Sequence, residues 1–393
     1  MKKILVITPR FPYPVIGGDR LRIYEVCKEL AKYYELTLVS LCENQFEMSY
    51  SVPKNEIFKN VHRIFFPKWK SYLNCFLSLP TSKPLQIAYY QSREFRLLVE
   101  ELSESHDMVL PHLIRTAEYA RNLNIVKILE MTDAISMNYT RVAQVKNNSG
   151  IKGLIYRIER NRLNKYEKNV AKNFDCNVFV SKVDRDFLYL DSPTIIEKTL
   201  VCSNGVDLSK LPYRFIPGGN KLVFIGNMYS AQNFDAAYWF AKHVLPRIRQ
   251  HGDYELHVIG KIPADSQKKL MQITGVVVTG AVDSVAEHAK GALAGICSVR
   301  LAAGVQNKIL EYMALGIPTI TSSTGLEGLF AKEDESILVA DSPDNYVKHI
   351  LELKNNVHFA EMLAQNALCY VKEQHSWSVK LKPLVDKVQQ LLQ

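Results

Sequence analysis

The alternation of element types constrains the fold of this chain more than any other feature. Short runs rich in Val, Ile and Leu recur at residues 3–8, 36–41, 62–67, 108–112, 126–131, 176–181 and 199–202, with helix-like stretches between them. In the first such stretch Ile23, Val26, Leu30 and Ala31 share one helical face. Near-continuous apolar strands separated by helices imply a parallel sheet covered on both faces. The pattern breaks at residues 204–220, where Asn-Gly-Val-Asp is followed by Pro212, Pro217, Gly218 and Gly219. It then restarts with runs at 222–226, 256–260, 276–279, 295–299, 319–322 and 337–340. The expectation is two doubly wound Rossmann-like α/β domains, residues 1–205 and 221–375, joined by a linker at 206–220 and followed by a helix over 376–393. Ligands in such sheets bind at the carboxyl ends of the strands.

Composition narrows the class. With 393 residues, 47% hydrophobic and 23% charged, the chain reads as a globular protein, which excludes a disordered chain, a collagen and a small disulfide scaffold. No apolar run approaches the roughly 18 residues of a membrane span. The opening Met-Lys-Lys-Ile-Leu-Val-Ile-Thr reads as a first strand and not a signal peptide. Seven scattered cysteines, odd in number and without a CxxC pair, suggest reduced thiols and a cytoplasmic location. Lys and Arg total 49 against 40 Asp and Glu, an excess of 9 that favours anionic partners: nucleotide phosphates, anionic lipid or nucleic acid. No nucleic-acid recognition motif supports the last of these.

Several chemistries lack their motif. No GxGxxG follows a strand and no GxxxxGK[ST] occurs; residues 275–280 have the Walker spacing but continue with Ala281 in place of Lys. The ten histidines are dispersed without an HExxH, so no metal site is expected. Asp184-Arg-Asp186 has the DxD form, but at a helix start acids simply suit the positive dipole end.

The most informative stretch is 298–321, Ser-Val-Arg-Leu-Ala-Ala-Gly-Val-Gln-Asn-Lys-Ile-Leu-Glu-Tyr-Met-Ala-Leu-Gly-Ile-Pro-Thr-Ile-Thr. It reads as a strand ending near Val299, a small-residue loop at 302–304, a helix from Val305 to Leu315 capped by Gly316, and a further strand after Pro318. Gly304 at the helix start lets phosphate oxygens approach free backbone N–H groups. Arg300 and Lys308 flank the loop and can add charge-assisted hydrogen bonds. Glu311 could accept both hydroxyls of a ribose. A plain strand–loop–helix with Lys308 and Glu311 as a surface i,i+3 pair explains the same residues.

These residues resemble the nucleotide-binding segment of GT-B glycosyltransferases, in particular glycosyltransferase family 4. "GVQNKILEYMALGIPTITSS" is similar to that family's K-x-L-E-x-M-A-x-G-x-P-V-V pattern. The resemblance extends to "ITPRFPYPVIGGDRLRIYEVCKELAKYYELTLVSL" at the start, "VFVSKVDRDFL" and "SNGVD" before the linker, "LVFIGNMYSAQNFDAAYWF" after it, and "SWSVKLKPLVDKVQ" as a last helix crossing back to the first domain. It implies a GT-B fold with two domains facing across a cleft, the second binding a nucleoside diphosphate sugar and the first the acceptor. Gly226, Asn227, Gly304, Val305, Gln306 and Glu311 fall on the implied donor side. Two departures stand out: Ala303 replaces the first Glu of the family's E-x7-E, and Asn227 and Gln232 stand where an Arg and a Lys often grip the diphosphate. Arg300 and Lys308 are the nearest substitutes.

In the first domain Gly17 and Gly18 form a loop that by itself is a turn; the resemblance implies that its backbone closes over donor phosphates or acceptor. Asp19 reads as an N-cap or as an acceptor-side group. Arg20 and Arg22 face either the cleft or solvent. His112 is either a structural hydrogen-bonder or, by resemblance, the histidine that touches the transferred sugar. Arg115 binds phosphate or covers surface. Glu130 and Asp133 line the acceptor side, with helix capping the competing reading for Asp133.

Residues 151–172 hold seven basic and two acidic residues, and 68–77 mix lysines with aromatic and aliphatic side chains. Such mixtures suit peripheral docking on the inner face of an anionic membrane; an amphipathic helix packed on its own domain explains them equally. The reading as a whole is a retaining, metal-independent glycosyltransferase of bacterial surface polysaccharide synthesis. It would use a UDP- or GDP-sugar as substrate, no cofactor, and a glycan or lipid-linked acceptor. A nucleotide-sugar 2-epimerase and a degenerate sugar- or lipid-binding homologue are the alternatives.

Overall fold

The structure is a computed structural model that describes the chain except residues 16–17, 53–56, 138, 141–150 and 301–304 and the side chains of 151–156. Two compact units emerge: Met1–Asn204 with Lys380–Gln393, and Gly205–Val379.

Among the described residues the first unit is a seven-stranded parallel sheet in the order β3-β2-β1-β4-β5-β6-β7. The strands are β1 (Lys3–Thr8), β2 (Glu35–Cys42), β3 (Phe58–Phe65), β4 (Met108–Pro111), β5 (Val126–Thr132), β6 (Cys176–Phe179) and β7 (Thr199–Val201). All but the first residue of β1 are buried, as a central strand covered on both faces requires. β3 begins four residues before the expected 62 because it is an edge strand. Lys59 and Asn60 are exposed there and His62 and Arg63 only half-buried, so hydropathy reveals only its apolar end. The helices that matter below are α1 (Gly18–Leu30), α2 (Lys68–Ser78), α3 (Arg93–Ser103), α4 (Ile151–Val170) and α5 (Lys182–Tyr189). Leu5, Ile7, Val39, Val109, Leu129 and Phe179 are fully buried in one core on one sheet face.

The second unit is a six-stranded parallel sheet, order β10-β9-β8-β11-β12-β13, again among the described residues. Its strands are β8 (Lys221–Ile225), β9 (Glu255–Ile259), β10 (Val276–Gly280), β11 (Ala294–Cys297), β12 (Thr319–Thr321) and β13 (Leu338–Val339). Helices α6 (Ala231–His243), α7 (Asn307–Leu315) and α8 (Val357–Gln374) belong to it. The chain closes with α9 (Trp377–Leu392), which returns to the first unit from Lys380 onward. There Leu381, Leu384 and Val388 are buried.

One contact fixes α7 on its sheet. The buried Tyr312 hydroxyl accepts from the Ile225 N–H at 2.8 Å and donates to the Ile296 carbonyl at 3.1 Å, tying α7 to β8 and β11 together. The ring lies over Gly295, where a Cβ would come within 2.3 Å of it. α7 ends on Gly316 at φ 77°, the left-handed conformation that glycine adopts without strain. Its first residue is Asn307, two later than the expected Val305. Gln306 holds the N-cap position in extended backbone without a side-chain cap bond.

Candidate functional sites

Each unit gathers polar residues at the carboxyl ends of its strands. In the second unit Gly226, Asn227, Gln306, Lys308 and Glu311 fall there; Gly304 lies outside the described residues. Gly226 follows β8, and its carbonyl lies 2.1 Å from where a Cβ on Gly260 would stand, so these two strand ends approach backbone to backbone. The Asn227 carboxamide turns the chain by accepting from the Tyr229 N–H, and its carbonyl accepts from the Asn233 amide at 3.0 Å. Val305 is exposed just ahead of α7.

The two cations expected to flank the loop are placed differently. Lys308 is buried; its ammonium donates to Asn233 Oδ1 at 2.9 Å and Gln306 Oε1 at 3.2 Å and lies over the Phe224 ring. Burial lowers its pKa, with Glu311 pulling the other way. Both amide oxygens are neutral, so Lys308 keeps its charge available to an anion. Arg300 instead makes a two-pronged pair with Asp235, at 2.7 and 3.2 Å, and stacks over Trp239. Its charge is already matched. One turn into α7, burial pushes the Glu311 carboxyl up to about 7, partly opposed by Lys308.

In the first unit the strand order reverses direction at β1 and β4, where ligands bind in doubly wound sheets. His112 sits there, its N–H bonded to the Ile7 carbonyl of β1. Its Nδ1 lies 2.6 Å from Glu130 Oε2, and Glu130 also accepts from Arg22 Nε at 3.2 Å and Thr132 Oγ1 at 2.7 Å. Burial would raise the Glu130 carboxyl, but Arg22 and His112 overcome it and hold it at about 2. An ionised Glu130 accepts a hydrogen bond from Nδ1–H, which leaves Nε2 as the other ring nitrogen of His112; it is buried and has no hydrogen-bond partner among the described residues. The backbone beside this cluster is strained. Leu113 adopts φ 64°, ψ 151° and the β-branched Thr132 adopts φ 65°. Each such residue costs about 1–3 kcal/mol and persists only where the surrounding structure over-determines it.

The other expected residues have structural partners. Asp19 is not an N-cap: α1 begins at Gly18, so Asp19 lies inside the first turn, 3.6 Å from Arg10. Gly17 lies outside the described residues. Arg20 pairs with Glu47 at 2.7 Å. Arg22 faces neither solvent nor an open cleft but the buried Glu130 carboxylate. Arg115 donates to Gln86 and stacks over Tyr90. At the start of the helix that Asp133 precedes, carboxylates from distant elements take backbone N–H groups. The N–H of Ala134 goes to Asp184, and those of Ile135 and Ser136 go to Glu167. Asp184 therefore serves a helix start, and Asp186 pairs with Arg185. Among the described residues no group of three or more His, Cys, Asp or Glu is placed to hold a metal ion.

Glu130 as the partner of His112 and Arg22 was the residue whose role the sequence hid. The signal was present: a carboxylate within the apolar strand Val-Lys-Ile-Leu-Glu-Met-Thr, and an arginine on the apolar face of α1, each needing a buried partner.

Residues 219–356 match the family described as Glycosyl transferases group 1. Over 95% of its length the chain is 22% identical to an "Uncharacterized 44.6 kDa protein in cps region" of Klebsiella pneumoniae, covering 97% of that protein. Among solved structures it resembles sucrose-phosphate synthase of Thermosynechococcus elongatus, with a TM-score of 0.66, 13% identity, and coverage of 100% of this chain and 99% of that one. It also resembles Alr3699/HepE of Anabaena in complex with UDP, with a TM-score of 0.64, 11% identity, and coverage of 99% and 100%. The second unit thus holds the segment that matches the group 1 glycosyl transferases, and the chain as a whole has the fold of the GT-B glycosyltransferases.

Proposed function

We propose that this protein is a retaining glycosyltransferase that moves a sugar from a UDP- or GDP-sugar to a glycan or lipid-linked acceptor in bacterial surface polysaccharide synthesis. The observation that carries the reading is the placement of Lys308 and Glu311 on α7, a buried cation held by neutral amides and a carboxyl lifted by burial, inside the segment that matches the group 1 family. The cps-region relative and the UDP held by the Anabaena protein support the pathway and the donor class. Lys308 and backbone N–H groups at the start of α7 stabilise the departing diphosphate, where negative charge develops. Glu311 accepts the ribose hydroxyls. His112 offers Nε2 to a sugar hydroxyl. The departing diphosphate helps take the acceptor proton, so the protein contributes charge stabilisation and positioning. In this reading the transfer proceeds without a metal, and Asp184 and Asp186 serve Ala134 and Arg185 instead.

A screen of uridine and guanosine diphosphate sugars, each with and without glycan and lipid-linked acceptors, tests this. One donor should be consumed in an acceptor-dependent reaction that preserves anomeric configuration and survives EDTA. Consumption without acceptor, yielding a 2-epimer, would make the protein an epimerase. No consumption of any donor would leave a binding protein. Loss in EDTA restored by Mg²⁺ would refute the metal-free mechanism.

A further inference from the structure

Helix α2 is amphipathic the wrong way round for a helix serving its own core. Its inward positions are the small polar Ser71 and Ser78, both buried, with the half-buried Asn74 donating to the Gln91 carbonyl. Its outward positions are large and apolar: Phe76 is 69% exposed, Tyr72 64%, Trp69 63% and Leu77 62%. A soluble helix normally turns its apolar stripe to the core, and clustered exposed apolar side chains of this size mark an interaction surface. The patch continues through Leu73 and Leu79 to Leu97 on α3, each about half exposed.

We infer that α2 is a docking surface for an anionic lipid bilayer. Charge selects this occupant. Residues 57–93 contain six Lys and Arg and no Asp or Glu. Lys68, 3.9 Å from Glu43, and Lys70 are exposed beside Trp69 at the start of the helix. At its end α2 meets the basic helix α4: Arg162, paired with Glu159, donates to the Leu79 carbonyl at 2.8 Å, Glu159 accepts from the Leu85 N–H, and Arg157, Lys165 and Lys168 of α4 are exposed. A second copy of the chain meets a self-complementary patch poorly, because a two-fold contact would bring these cations against one another. Trp and Tyr beside Lys instead match the interfacial zone, where rings sit at headgroup depth and ammonium groups reach anionic phosphates. Among the described residues no helix is long and apolar enough to cross a membrane, so contact through α2 lies in the interface plane. The inference does not depend on the transferase reading, and its test needs no nucleotide.

The full-length chain is sedimented with phosphatidylcholine vesicles and with phosphatidylcholine–phosphatidylglycerol vesicles at low and high salt. Binding to the anionic vesicles should exceed binding to neutral ones by about tenfold or more at low salt and weaken as salt rises. Trp69 emission should shift to the blue on binding, a change absent in Trp69→Phe. Combined Trp69→Ser, Phe76→Ser and Leu77→Ser, at side chains that point outward, should abolish sedimentation without lowering the melting temperature. Lys68→Glu with Lys70→Glu should weaken binding to anionic vesicles while leaving the apolar face intact. Failure to bind anionic vesicles at low salt would overturn the inference. So would binding unchanged by the triple variant, or a concentration-dependent dimer in light scattering that the triple variant dissolves.

Discussion

Glu311 and Lys308 are three residues apart on one helix, and their roles separate by charge state. A ribose diol donates to the ionised carboxylate, so nucleotide binding should require Glu311 to be deprotonated. With its carboxyl pushed from 4.5 up to about 7 by burial, affinity should fall as pH is lowered through 7. Glu311→Gln should weaken UDP or GDP binding by about 1.5–3 kcal/mol and flatten that pH dependence, read by calorimetric titration at several pH values. Lys308→Ala should weaken nucleoside diphosphate binding more than nucleoside binding. Arg300→Ala should change both little, because Asp235 already matches that charge; equal losses in the two variants would return Arg300 to the phosphate. In the first unit His112→Ala should cut turnover on the order of 10²-fold with nucleotide affinity unchanged. Glu130 stays paired with Arg22 in that variant, so normal turnover would show the histidine to be structural.

At the scale of elements, both candidate sites depend on how a strand end hands the chain to a helix. α7 is held by Tyr312 pressed over Gly295, so the position of Lys308 and Glu311 is set by a glycine ten or more residues away from them. Gly295→Ala should place a methyl group inside the Tyr312 ring contact and cost about 1–3 kcal/mol of overpacking, visible as a lowered melting temperature and weakened nucleotide binding. A variant as stable and as tight as the parent would show that α7 can shift without consequence. In the first unit the corresponding device is strain: positive φ at Leu113 and Thr132, with the β5–β6 ladder slipping between Glu130 and Thr132, re-aims both strand ends around one histidine. Such irregularities leave no periodic trace in a sequence.

At the scale of the molecule, the last helix couples the two ends of the chain. Residues 377–379 belong to the second unit, while Lys380–Gln393 completes the first, burying Leu381, Leu384 and Val388. Leu384→Ala should therefore destabilise the first unit by about 2–5 kcal/mol, with amides of β6 and β7 losing hydrogen-exchange protection before those of β8 and β11. Loss of protection in the second unit instead would show that this helix supports the other sheet.

The sequence by itself determined the fold class, because period and length of apolar runs follow directly from burying a parallel sheet on both faces. Strands such as β1, β8 and β11 were legible for that reason, while the half-wet edge strand β3 was legible only at its apolar end. The segment 298–321 was legible too, since its loop, helix and Gly316 cap are local in the chain. What only the tertiary structure decided was partnership. Arg22, His112 and Glu130 are separated by up to 108 positions and meet because three parallel strands and a helix converge. Arg300 and Lys308 look equivalent as letters, yet Asp235 matches one while neutral amides hold the other. The inversion of α2 was invisible as well: periodicity shows that a helix has an apolar face but not which way it turns, and that depends on packing between elements distant in sequence.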